Sequence, residues 1–88
     1  MEFRWNDWNI EHVQEHGVSP EEAEDLLREG HATLPVSYGG GKKVVWGRGW
    51  GGRLLQVVFV PDDEETAYVI HARPLTESEK RRYRRRTR

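Results

Sequence analysis

The apolar residues of this chain change period part-way along it. Up to about residue 30 they recur at helical spacing; after that they alternate or run together as strands do. Glu2 to Trp5 alternates polar and apolar residues and predicts a short strand. Asn6 then caps a helix through about Glu15, with Ile10 and Val13 toward the core, Trp8 beside them and Gly17 as the stop. The next start is more fully written. Ser19 is a cap, Pro20 fills the first helical position, and Glu22 completes a capping box. Val18 and Ala23 are placed for a hydrophobic staple, and Ala23, Leu26 and Leu27 form the apolar stripe of a helix ending at Gly30.

Strands dominate from there. His31 to Tyr38 predicts a strand, which Pro35 confines to an edge or a bulge. Gly39-Gly40-Gly41 is a turn, Val44 to Trp46 a strand, and Gly47 to Gly52 a flexible turn. Arg53 to Val60 carries apolar residues on both faces and should lie centrally. Pro61 to Glu65 predicts another turn, and Ala67 to Arg73 the next strand. Links this short imply an antiparallel meander. Thr76 and Glu79 form a second capping box opening a last helix, which Tyr83 and Leu75 anchor. The expectation is one α+β domain over residues 1–88. It has two N-terminal helices, an antiparallel sheet of about four strands and a C-terminal helix, with 84–88 a frayed basic tail.

Charge changes the picture more than composition does. The net charge is −1, but residues 1–30 hold nine acids against two bases, and residues 31–88 twelve bases against six acids. A neutral total therefore does not exclude a basic face suited to nucleic acid. Cysteine is absent, which rules out disulfides and thiolate metal sites. No stretch approaches the ~20 apolar residues of a membrane span, so a cytoplasmic protein is expected.

Some motifs carry little. His12-Val13-Gln14-Glu15-His16 matches an inverted zincin pattern, but a zinc site needs a third ligand from another element, and no metal is expected. Gly39-Gly40-Gly41-Lys42 lacks the Ser/Thr of a phosphate loop. The glycines of 47–52 precede a strand rather than a helix, so both stretches read as hairpin turns. Cations at strand ends say more. Lys42 and Lys43 precede one strand, Arg48 ends it, Arg53 begins the next and Arg73 closes the last. Arg48 and Arg53 flank one hairpin; Arg73 stands beside them or at the opposite end, since sequence does not give strand order. Converging, they would clamp a phosphate. His16, at a helix end, and His71, on a strand face with Val69 and Arg73, are the candidate proton carriers.

In order and spacing these segments resemble the BrnT family of bacterial toxins. The matching pieces are Phe3-Arg4-Trp5, then His16-Gly17-Val18-Ser19-Pro20-Glu21-Glu22-Ala23, then Gly52-Arg53-Leu54-Leu55, then Val69-Ile70-His71-Ala72-Arg73, and last Thr76, Glu79 and Tyr83. The resemblance implies a RelE-like fold and a metal-independent endoribonuclease that inhibits translation, needs no cofactor, and is neutralised by a cognate DNA-binding antitoxin. A homodimer or a toxin–antitoxin hetero-oligomer is implied as well. On this reading His16, Arg53, Arg73 and Tyr83 are the catalytic candidates: the histidine for proton transfer, the arginines for phosphate, the tyrosine for positioning or stacking. Arg48, Lys42, Lys43, Lys80, Arg81 and Arg84 would bind RNA. The chain departs from the family at Glu15, where a basic residue is usual, and at Asn6, where an aspartate often follows the tryptophan. An acid at position 15 repels phosphate if it faces the site. The alternative is a non-catalytic RNA- or protein-binding module on the same fold.

Overall fold

The computed structural model describes residues 1–29, 32–63 and 65–86. In chain order these form β1 (Glu2–Arg4), α1 (Asp7–Gln14), α2 (Pro20–Glu29), β2 (Val36–Ser37), β3 (Lys43–Arg48), β4 (Leu54–Asp63), β5 (Thr66–Pro74) and α3 (Glu77–Arg86). A single 3₁₀ turn, Trp50–Gly52, joins β3 to β4. The strands make one sheet in the order β1-β5-β4-β3-β2. The α+β architecture is as expected, but the sheet has five strands rather than about four, and it is mixed. β2 to β5 form an antiparallel meander, while β1 runs parallel to β5, pairing Glu2 to Arg4 with Thr66 to Tyr68. The meander links are too short for a crossover; β1 is separated from the others by two helices and can join the far edge in parallel.

β4 is central, as its two apolar faces require. Leu54 and Leu55 are neighbours in a strand, so they point to opposite faces. Leu55, Val57 and Phe59 pack with Val13, Val18, Ala23, Leu26, Val45, Val69 and Ala72 beneath α1 and α2. Leu54 packs with Leu75 and Tyr83 beneath α3, with Trp46 half-buried against them. Tyr83 is the buried residue of α3.

Several boundaries moved for identifiable reasons. β4 runs on through Pro61, where a turn was expected. Its ladder with β3 ends at Phe59, so the missing proline N–H falls where that side of the strand no longer pairs. β2 keeps only Val36 and Ser37. Thr33, two residues before Pro35, instead exchanges hydrogen bonds with Trp46, accepting the Trp46 N–H on its hydroxyl and donating its own N–H to the Trp46 carbonyl. The expected features at Gly30 and His31 lie outside the described residues. Arg84 to Arg86, the start of the expected frayed tail, belong to α3, and residues 87 and 88 lie outside the description. Among the described residues no helix is long and apolar enough to cross a membrane.

The start of α1 differs most from its sequence reading. Asn9, not Trp8, turns inward: Asn9 is fully buried and Trp8 is 51% exposed. Asn6 and Asn9 form a reciprocal capping box, the Asn6 side chain accepting from the Asn9 N–H and the Asn9 side chain from the Asn6 N–H. The Asn9 amide also donates to the carbonyls of Arg4 and Val69, at 3.0 and 2.8 Å. Val69 is the first residue of β5 beyond its pairing with β1, so Asn9 completes the edge where β1 stops.

Candidate functional site

The end of α1 sits against β5. Gly17 takes a φ of +74°, which lets the chain leave the helix. The preceding residue, His16, is exposed there, and its ring meets that of His71 edge-on at a centroid distance of 5.0 Å. A bulge makes this meeting possible. Val58 pairs with His71 and Phe59 with Val69, so Ile70 is an extra residue in β5. Val69 and Ala72 then both face the core, and His71 and Arg73 do not share a face with Val69 as simple alternation suggested. Burial pushes the His71 pKa below the ordinary histidine value. The charges of His16, Arg73 and His12 push it the same way, and Glu15 opposes them. The ring is therefore biased to its neutral, proton-accepting form. Glu15, where the sequence departs from the resemblance, is the weakest of the influences on His71.

Three of the strand-end cations, Arg48, Arg53 and Arg73, lie toward one end of the sheet, but Arg53 turns to Glu22 of α2 and Arg73 to Glu79 of α3, on opposite faces. Arg48 pairs with Leu54, next to Arg53, and Arg73 pairs with Gln56. Two of them are held by internal carboxylates. Arg53 grips Glu22 through Nε at 3.0 Å and a terminal nitrogen at 2.5 Å, and that nitrogen also donates to the Gly17 carbonyl at 2.7 Å. Burial raises the Glu22 pKa, but hydrogen bonds from Arg53 and the Trp50 N–H, with the Arg53 charge, more than offset this and hold the carboxyl below its usual value. The capping box read at Ser19 is thus half-formed. Ser19 accepts the Glu22 N–H, while the Glu22 carboxylate turns to Arg53 and Trp50. That contact also orders the Gly47 to Gly52 turn, which was expected to be flexible. A Cβ on Gly49 would meet the Glu22 carboxylate and lie 2.7 Å from a Leu55 methyl, so a larger residue there must push those side-chain ends aside.

Arg73 forms a fork-to-fork pair with Glu79, at 2.8 and 2.9 Å, and also donates to the Pro74 carbonyl and the Gln56 side chain. Glu79 serves two neighbours. It completes the predicted capping box by accepting the Thr76 N–H while Thr76 accepts the Glu79 N–H. Its hydrogen bonds from Arg73 dominate over burial and hold its pKa at about 2.

The remaining candidates are dispersed. Tyr83 is 1% exposed, packed beneath α3 rather than presented for stacking. Lys42 and Lys43 stand at the opposite end of β3, Lys42 over the Tyr38 ring and Lys43 donating to Ser37. Lys80 pairs with Glu77, and Arg81 and Arg84 are exposed on α3. Among the described residues no three His, Asp or Glu side chains are grouped to hold a metal, and His12 Nδ1 lies 2.8 Å from the Trp8 carbonyl. Sequence reasoning missed the parts played by Glu22, Gln56 and Asn9. Glu79 carried a signal, its spacing from Thr76, but only for capping.

This fold is similar to that of the Brucella abortus ribonuclease toxin BrnT. The two structures agree with a TM-score of 0.70 at 20% sequence identity, covering 88% of this chain and 99% of that one. No family model and no curated protein matches the sequence. The BrnT-like fold expected from the sequence is therefore present in the tertiary structure, with a five-stranded mixed sheet in place of the antiparallel one of about four strands.

Proposed function

We propose that this chain is a BrnT-like ribonuclease toxin, a metal-independent endoribonuclease that restrains translation and is neutralised by a cognate antitoxin. The observation that carries the reading is the His16–His71 pair beside Arg73, on a fold shared with a ribonuclease toxin. His71, biased to the neutral form, takes the proton from a ribose 2′-hydroxyl as its oxygen attacks the adjacent phosphorus. His16 gives a proton to the 5′-oxygen as the P–O bond breaks, leaving a cyclic phosphate and a free 5′-hydroxyl. Arg73, aimed by Glu79 and Gln56, faces the charge that develops on the phosphoryl oxygens. Arg53 acts at one remove: its bond to the Gly17 carbonyl fixes the residue after His16 and so positions that ring.

The test is to incubate the purified chain with total RNA and with translating ribosomes, in chelator. Cleavage is expected, and His16→Ala or His71→Ala should each lower its rate by about 10²–10⁴, the usual contribution of a positioned acid or base. A folded His71→Ala variant that cleaves at the parental rate refutes the mechanism. A second reading, the non-catalytic RNA- or protein-binding module, is favoured by one observation. Both arginines expected to hold phosphate are paired with carboxylates of the chain itself. RNA bound but cleaved in neither assay would establish the module. Co-expression with the product of an adjacent gene tests the antitoxin, which should restore growth.

A further inference from the structure

From Arg73, beside the histidines, a row of Arg73, Gln56 and Trp46 runs across the sheet, paired strand to strand. Gln56 ties the row together, its oxygen accepting from the Trp46 indole N–H at 3.0 Å and from Arg73 at 3.3 Å. Beyond Trp46 the sheet ends in a groove of about 260 Å³ whose lining includes Tyr38, Val44, Trp46, Arg82 and Arg86. That is below the roughly 300–1,000 Å³ of sites that enclose a whole small molecule, and it suits one planar ring. Arg82 and Arg86, one helical turn apart on α3, place their guanidiniums 5.3 and 5.5 Å from the Trp46 ring centre. Tyr38 is 62% exposed.

The helix dipole favours cations in the last turn of α3. It does not account for two arginines directed at one indole, where like charges four residues apart repel each other. An anion beside them relieves that repulsion, and indole, phenol and guanidinium all stack on nucleobases. We infer that this groove is a nucleobase subsite for single-stranded RNA. A base would enter between Tyr38 and the Trp46–arginine layer, and Arg82 and Arg86 would meet the flanking phosphates. Trp46 and Arg73 stand two strand spacings apart, roughly 10 Å, within reach of one short single-stranded stretch. The subsite deepens the ribonuclease reading and rests on it, holding a base near the phosphate that the histidines would cleave.

The experiment uses the full chain carrying His16→Ala and His71→Ala, so that binding is read without turnover. The probe is a short oligouridine with one 2-aminopurine, followed by anisotropy and by base fluorescence. Arg82→Gln and Arg86→Gln should each weaken binding about tenfold and diminish the fluorescence quench, whereas Arg85→Gln on the same helix should change affinity less than threefold. Trp46→Leu should abolish the quench, and its thermal unfolding is measured alongside; if it does not fold, the two arginine variants still decide. Equal losses for Arg82→Gln, Arg86→Gln and Arg85→Gln with the quench intact would overturn the subsite and leave the ribonuclease reading standing. Oligoglutamate competing as well as RNA, with no quench, would overturn it in favour of an acidic protein partner. RNA that fails to bind at all would overturn both the subsite and the reading it rests on.

Discussion

Replacing Glu79 by Gln tests how α3 is held and what occupies Arg73. Gln can still accept the Thr76 N–H, so the capping box survives and the lost element is the charge facing Arg73. Glu79 titrates at about 2 in the folded chain against an ordinary 4.5. At about 1.4 kcal/mol per unit this is about 3–4 kcal/mol, of which the smaller part comes from Thr76 and survives the substitution. Little of it is lost to solvent screening, since the two side chains are only 13% and 28% exposed. The sign follows from the depressed value: the stabilisation is complete above the unfolded titration near 4.5 and is lost as pH falls toward 2. Glu79→Gln should therefore cost about 2–3 kcal/mol at pH 7 in urea unfolding followed by circular dichroism, lowering the melting temperature by about 10 °C or more. The gap between parent and variant should narrow by roughly half at pH 3. A loss under about 0.5 kcal/mol at pH 7, or a gap as wide at pH 3 as at pH 7, would refute the reasoning.

Gly49→Ala should destabilise by about 2 kcal/mol, because the added methyl displaces the Glu22 carboxylate from Arg53 and Trp50; an unchanged melting temperature would show that the contact yields freely. Asn9→Ala strips partners from the Arg4 and Val69 carbonyls and the Asn6 N–H, and should cost about 2–3 kcal/mol in chemical unfolding; a loss below that of an ordinary exposed cap, about 1 kcal/mol, would contradict its role. Arg53→Met leaves the Glu22 carboxylate, 3% exposed, unpaired and should cost about 3–5 kcal/mol, most of it recovered in the double variant Arg53→Met/Glu22→Met; a double variant no more stable than Arg53→Met would argue against the pair. If the chain cleaves RNA, the acid limb of its pH–rate profile should fall below the ordinary histidine value of 6.5, because burial favours neutral His71; a limb above that value would remove His71 as the base.

What the sequence determined by itself was whatever is encoded within a few residues. Asn6, Ser19-Pro20 and Thr76 start helices because a side chain and the N–H three positions on are near neighbours in any fold. The doubly apolar β4 had to be central because neither of its faces could remain in water. The BrnT-like order of segments was visible for the same reason, being a succession of such local signals. The tertiary structure decided the contacts between residues far apart in the chain. Glu22 was written as a helix cap, and only its approach to Arg53 made it a counter-ion. Asn9 has a part to play only because β1 stops one residue short of Val69 and leaves a carbonyl to satisfy. The meeting of His16 with His71 depends on the extra residue Ile70, which changes the faces of everything after it in β5. Arg73 and Arg53 carried the charge expected of them. Whether that charge faces a phosphate or a carboxylate of the same chain depends on strand order, helix placement and register, which no local pattern specifies.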